Sequence, residues 1–294
     1  MKRWTVMSDD VFKLGVVKFG AIGAAPLLDL IFDERADRKD LEVRVFTSGA
    51  KLDEDSCVDA TRMVIDYKPQ LVLSVSPNAA LKGPAKSREM LHEAGLPTIT
   101  ISDGPSEKGF YKKGEDKKKV KTVLDKQGFF ILYADAMIGA RREFLDPTEM
   151  VLFNSDIIRV LTNTGVMRLL QEEIYAVIES IKEGKEPKMP TVKVTAEKAI
   201  AAGGFSNPYA AAKAYAALKI SEAVADVTTK GCFVEQDPAK YIPLVAAGHE
   251  MMRIAAVLSD EARELEKASD TLLRTPHTSK GKLKKKTALA DDLK

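Results

Sequence analysis

Short apolar runs alternate with amphipathic stretches through the first half of the chain. Leu14-Gly-Val-Val-Lys18, Leu41-Glu-Val-Arg-Val-Phe46, Gln70-Leu-Val-Leu-Ser-Val75, Pro97-Thr-Ile-Thr-Ile101 and Phe129-Phe-Ile-Leu-Tyr133 have the composition of strands. Between the first four, apolar residues recur at helical spacing over 24–34, 54–67 and 82–94. Strands separated by helices of about 12 residues predict βαβ units and a parallel sheet. Such a sheet takes its ligand in the crevice at the carboxyl ends of its strands. The turns that follow strands are therefore where chemistry is to be read.

Past residue 146 the pattern becomes helical, and the helix starts are marked. Asp146-Pro147-Thr148-Glu149 supplies a capping carboxylate, a proline for the first helical position and an acid near the exposed N–H groups. Asn207-Pro208 and Asp237-Pro238 repeat the first two signals, each cap contributing about 1 kcal/mol. Residues 241–267 read as one long amphipathic helix, and 191–195 as a short strand. The expected fold class is α/β, a parallel Rossmann-like sheet flanked by helices, with an appended helical bundle domain. The expected division is 12–146 for the sheet domain, 147–275 for the helical domain and 276–294 for a polar tail. No internal repeat is visible.

A chain of 294 residues exceeds one average domain, and 45% apolar content fills a sizeable core. Lys and Arg, 45 in all, nearly cancel 43 Asp and Glu. That balance gives no reason to expect nucleic acid as a partner. The positive surplus is local, at 108–121 and 280–286, and reads as a solvated loop and tail. Two cysteines, Cys57 and Cys232, are far apart and lack metal or disulfide spacing. Residues 1–10 lack the apolar core of a signal peptide, and no run approaches the roughly 20 apolar residues of a membrane span. The expectation is a soluble, cytoplasmic protein with no membrane contact.

Three turns stand out. The first strand runs into Lys18-Phe-Gly-Ala-Ile-Gly23, where small residues admit a ligand to the backbone and the following helix favours a phosphate or an electron-rich ring edge. Only two residues separate Gly20 from Gly23, so GxGxxG is incomplete, which counts against a nicotinamide site. After the second strand, Ser48 and the Gly49 amide suit a phosphate; after the third, Pro77-Asn78 suits a ring carbonyl. Each alone also fits a plain turn, but three on one sheet edge make a cleft. The run Ala134 to Pro147 adds Arg141 and Arg142, suited equally to a phosphate or carboxylate ligand and to a salt bridge between domains or subunits.

Several chemistries are absent from the sequence. His249-Glu-Met-Met-Arg253 lacks the second histidine of HExxH, and no GxSxG elbow or Walker-type phosphate loop occurs. His249 reads as a helix-packing residue, and Cys232 as a small apolar one. No metal is expected.

Longer strings carry more. The blocks Lys18-Phe-Gly-Ala-Ile-Gly23, Leu30-Ile-Phe-Asp-Glu-Arg-Ala-Asp-Arg38, Ser48-Gly-Ala-Lys51, Pro77-Asn-Ala-Ala80 and Met137-Ile-Gly-Ala-Arg-Arg-Glu-Phe-Leu-Asp-Pro147 come in order. Asn154-Ser-Asp-Ile-Ile-Arg-Val-Leu161, Asn207-Pro-Tyr-Ala210, Lys230-Gly-Cys-Phe233, Tyr241-Ile-Pro243, His249-Glu-Met-Met-Arg253, Asp260-Glu-Ala-Arg-Glu-Leu-Glu-Lys267 and Arg274-Thr-Pro-His277 continue them. Together they resemble the archaeal coenzyme F420-dependent methylenetetrahydromethanopterin dehydrogenases over nearly the whole chain. The chain departs from that pattern at Phe19 and Ala21, where the family usually has cysteine and asparagine.

The resemblance implies reversible hydride transfer between 5,10-methylenetetrahydromethanopterin and coenzyme F420 in archaeal one-carbon metabolism, methanogenesis or its reverse. F420 is then a co-substrate, with no flavin and no metal. Gly20, Ala21, Ile22, Gly23, Ser48, Gly49, Ala50, Pro77 and Asn78 become the expected deazaflavin contacts. Met137, Ile138, Gly139, Arg141 and Arg142 become the expected pterin side, and Asp135 a candidate to stabilise the methenyl cation. A homo-oligomer, a hexamer built as a trimer of dimers, is also implied. An NADP-dependent pterin dehydrogenase and a non-catalytic pterin- or deazaflavin-binding homologue are the alternatives.

Overall fold

The computed structural model describes residues 11–32, 39–113, 119–137, 146–274 and 287–288. The chain runs β1 (Phe12–Lys18), α1 (Ala25–Phe32), β2 (Leu41–Thr47), α2 (Glu54–Asp66), β3 (Leu71–Ser76), α3 (Lys82–Glu93) and β4 (Thr98–Asp103). A 3-10 turn at Gly104–Gly109, a hairpin of β5 (Tyr111–Lys113) and β6 (Lys119–Lys121), and β7 (Gln127–Leu132) follow. Then come α4 (Pro147–Asn163), α5 (Val166–Lys182), β8 (Thr191–Val194), α6 (Ala196–Gly203), α7 (Pro208–Thr229) and α8 (Pro238–Ala268).

The main sheet has the order β2-β1-β3-β4-β7-β8, and its first five strands pair in parallel. The parallel α/β architecture expected from the alternating pattern is present. Every residue of β3, β4 and β7 is buried. Cover on both faces explains why these strands read as continuous apolar runs rather than as alternating ones. From β1 the chain steps outward to β2, then returns to the other side of β1 to form β3, so the strand order reverses between β1 and β3.

The Lys-rich stretch expected as a solvated loop contains an antiparallel hairpin instead, with residues 114–118 outside the described set. Its aromatic base provides the reason. Phe110 stacks on Phe129 of β7 at 4.5 Å between ring centroids, and Tyr111 meets the same ring edge-on at 5.8 Å. The Thr122 N–H donates to the Phe110 carbonyl at 2.8 Å, which closes the base.

Internal contacts divide the chain into two compact units. Where the sequence places one boundary at 146, the first unit holds the sheet up to residue 132 together with 170–193. Tyr175 of α5 accordingly packs 5.2 Å from Phe32, and Lys182 pairs with Asp40 at 3.0 Å. The predicted short strand is β8.

The second unit is helical. Its starts fall where the caps predict: Asp146 accepts from the Glu149 N–H at 2.8 Å, Asn207 from Tyr209 at 2.9 Å, and Asp237 from Ala239 at 3.1 Å. The buried face of α7 is mostly small (Ala210, Ala214, Ala217, Ser221), which lets α8 pack closely along it. By length and composition α8 could cross a membrane, yet its buried residues recur at helical spacing against α7 and α4.

Candidate functional site

The carboxyl ends of β1, β2 and β3 lie side by side, with Lys18 in register with Thr47 on one side and Val75 on the other. Three turns leave this edge, at 19–24, 48–53 and 77–81. The first and third diverge around the point where the strand order reverses. Open α/β sheets receive ligands at such a point.

The first turn is anchored by Phe19. Its N–H donates to the Val75 carbonyl at 2.8 Å, and its ring is buried in a core with Val17, Cys57, Val64 and Leu91. The departure at position 19 is thus a packing feature. Gly20 follows at φ +69°, the left-handed region that favours glycine. Ala21 is exposed, while Ile22 and Gly23 are buried.

The second turn is tied to β1 by the Ser48 N–H, which donates to the Lys18 carbonyl at 3.1 Å. Gly49 also has φ +69°, and the space a side chain would occupy there is open. Ser48 Oγ donates to the Lys51 carbonyl at 2.7 Å, and the Gly49 N–H to Thr47 Oγ1 at 2.9 Å. Both donors expected for a phosphate are therefore engaged within the turn. The available donor is Lys18, whose Nζ lies 3.2 Å from the Gly49 carbonyl oxygen. Lys18 has no carboxylate partner among the described residues, and burial lowers its pKa. In the sequence its one signal is a cation closing an apolar strand.

In the third turn, Asn78 Oδ1 accepts from the Ala80 N–H at 3.1 Å and the Asn78 carbonyl from Leu81 at 3.2 Å. The carboxamide NH2 keeps both donors without a partner among the described residues, which suits a ring carbonyl. Pro77 beside it is half-buried.

Asp135 and Met137, from the expected pterin side, belong to the second unit. Asp135 is fully buried three residues past the end of β7, and its carbonyl accepts from the Met137 N–H at 3.0 Å. The neighbouring Ala134 carbonyl accepts from Ser221 Oγ at 2.6 Å, and Met137 is buried. Ile138, Gly139, Arg141 and Arg142 lie outside the described residues. His249 stacks on Phe153 at 4.1 Å, a packing role. Among the described residues no cluster of His, Cys, Asp or Glu is placed to hold a metal ion.

The family model for methylene-5,6,7,8-tetrahydromethanopterin dehydrogenase matches residues 12–294. The chain belongs to this family.

Curated members of the methylenetetrahydromethanopterin dehydrogenase family are similar along their whole length. The F420-dependent enzyme of Archaeoglobus fulgidus is 56% identical over 279 residues, which is 95% of this chain and 98% of that protein. Its counterpart from Methanocaldococcus jannaschii is 49% identical, over 96% of this chain and 99% of that protein. A solved structure of F420-dependent methylene-tetrahydromethanopterin dehydrogenase, in complex with methylene-tetrahydromethanopterin and coenzyme F420, aligns with a TM-score of 0.86 at 41% identity. That alignment covers 95% of this chain and 98% of the solved one. In this dehydrogenase-family chain, the β1/β3 edge exposes Ala21, carries the Lys18 ammonium, and presents an Asn78 NH2 with no partner among the described residues.

Proposed function

We propose that this chain catalyses reversible hydride transfer between 5,10-methylenetetrahydromethanopterin and coenzyme F420. The observation that carries this reading is the family match from residue 12 to residue 294, joined to relatives such as one 56% identical whose name states that activity. The chain is an oxidoreductase with F420 as co-substrate.

The reaction asks little covalent work of side chains. The carbon that gives up hydride is flanked by two nitrogens whose lone pairs stabilise the methenyl cation, and the deazaflavin supplies the accepting carbon. The protein's share is positioning and field. Gly20, Ala21, Ile22 and Gly23, with Ser48, Gly49 and Ala50, form the proposed seat of the deazaflavin, and Asn78 donates to a ring carbonyl beside Pro77. Lys18 provides positive charge for an anionic part of the cofactor, its phosphate or its reduced ring. Met137, Ile138, Gly139, Arg141 and Arg142 are proposed for the pterin. Asp135 is proposed to stabilise the methenyl cation. The sheet domain then binds cofactor, and the helical domain shapes the pterin side and a homo-oligomer, a trimer of dimers, in the cytoplasm.

The test mixes the protein with methylenetetrahydromethanopterin and either oxidised F420 or NADP, and follows cofactor absorbance. Reduction of F420 alone is expected. Reduction of NADP alone, or binding of F420 without turnover, would defeat the reading.

A further inference from the structure

Behind the third turn, α3 and the end of β4 grip one alanine from both sides. Ala79 is fully buried and donates its N–H to Ser106 Oγ at 2.8 Å and to Ser102 Oγ at 3.1 Å. Those hydroxyls lie 2.5 Å apart, and Ser102 donates in turn to the Ser76 carbonyl at the end of β3. On the opposite side the Ala79 carbonyl accepts from the Arg88 guanidinium.

Arg88 is placed with care for that one contact. Its guanidinium lies 4.9 Å over the Phe110 ring, and its own carbonyl accepts from Gln127 Nε2 at 2.8 Å. Among the described residues no carboxylate pairs with it. Burial lowers its pKa to about 10. A half-buried cation in no ion pair is a poor device for stability, since an apolar side chain would fill the same volume without the desolvation penalty. What an arginine supplies here is a directional donor.

The geometry passes that direction on to Asn78. The carbonyl of Ala79 and the N–H of Ala80 belong to one planar peptide group. Arg88 holds the carbonyl end, and the N–H end donates to Asn78 Oδ1 at 3.1 Å. The plane that Arg88 fixes is the plane that orients the Asn78 carboxamide and keeps its NH2 free.

We propose that Arg88 is a positioning residue for hydride transfer, acting through the 79–80 peptide to aim the Asn78 carboxamide at the deazaflavin. This rests on the reading that Asn78 meets the deazaflavin ring. Misaiming such a contact costs between about tenfold and a hundredfold in rate. The pterin, bound by other groups, should not register the change.

The experiment compares Arg88→Met, Arg88→Lys, Asn78→Ala and the Arg88→Met/Asn78→Ala double variant in steady-state kinetics with both substrates. Arg88→Met is expected to raise KM for F420 and lower kcat by about tenfold or more, with KM for methylenetetrahydromethanopterin unchanged. Arg88→Lys should recover part of the loss, because an ammonium also donates to the Ala79 carbonyl. The double variant should be no worse than Asn78→Ala alone, since two residues acting in series are not additive. An Arg88→Met enzyme with wild-type F420 kinetics beside an impaired Asn78→Ala enzyme would overturn the positioning role and leave the site reading standing. Additive losses, or equal losses toward both substrates, would overturn it too. An Asn78→Ala enzyme with wild-type kinetics would remove the site reading and the proposal with it. Should Arg88→Met fail to fold, Arg88→Lys and Ser106→Ala carry the same comparison from the two sides of Ala79.

Discussion

Lys18 Nζ stands 3.2 Å from the carbonyl oxygen of Gly49, so the cation that closes β1 reaches across to the turn that closes β2. Parallel pairing makes this reach short, because Lys18 and Thr47 are register partners and Gly49 is two residues further on. The ammonium is thereby held at the edge where the strand order reverses.

Lys18→Met is expected to weaken F420 binding by about tenfold, the scale of one lost charge-assisted contact of roughly 1.4 kcal/mol. Fluorescence titration with F420 and with its phosphate-free deazaflavin fragment separates the two candidate anions. Loss for F420 alone places the phosphate near Lys18, and loss for both places the ring there. Unchanged affinity for both would remove Lys18 from the site.

Asp135 carries a carboxylate with no exposure. Asp135→Ala is expected to slow turnover by more than about tenfold if that charge faces the methenyl cation. Asp135→Asn keeps the shape and removes the charge, so it should be nearly as slow. A fast Asn variant in single-turnover assays would assign Asp135 to packing alone.

Glu266, 2% exposed, caps the approach to α7 from the end of α8. Its Oε1 accepts from the backbone N–H groups of Ser206 at 2.9 Å and Asn207 at 2.7 Å. Glu266→Ala strands both donors and should cost about 3 kcal/mol in urea denaturation, against less for Glu266→Gln, which keeps one acceptor oxygen. Equal midpoints for wild type and the Ala variant would show that these contacts contribute nothing.

Burial pushes the Cys57 thiol up to about 11 from its ordinary 9.0, with the nearby Asp53 charge adding to the shift. The folded state therefore keeps a proton that the unfolded chain releases. The resulting stability is complete below about pH 9 and is lost as pH rises toward 11. Denaturation midpoints should fall between those values, and fall less in Cys57→Ala. A pH profile identical in the two proteins would contradict this. Alkylation at pH 8 should modify Cys57 slowly in the native protein, because the thiolate is both scarce and covered.

Much of the helical half could be read locally. Asp146, Asn207 and Asp237 each act within three residues of themselves, so the helix starts were visible in the sequence. The parallel sheet was visible as well, because strands such as 71–76, buried on both faces, leave an uninterrupted apolar run. The Lys-rich hairpin was not, since its base depends on Phe110 meeting Phe129 across the strand order. Nor was the grouping of α5, whose amphipathic face resembles that of α4; Lys182 finds Asp40 only across a separation of 142 positions.

The candidate site divides in the same way. Gly20 and Gly49 were legible because a left-handed turn favours glycine. Lys18 and Arg88 were not, because a lone cation in a sequence gives no sign of which carbonyl it will meet.

The sequence by itself determined the main helices, the parallel strands, the helix caps and the family, because side-chain period, capping and motif identity are properties of neighbours along the chain. Only the tertiary structure decided that Phe19 is core, that the Ser48 and Gly49 donors are spent inside their own turn, and that Arg88 and Asn78 share one peptide plane. Burial and hydrogen-bond pairing are through-space quantities, set by strand register and helix packing between residues that the chain itself keeps apart.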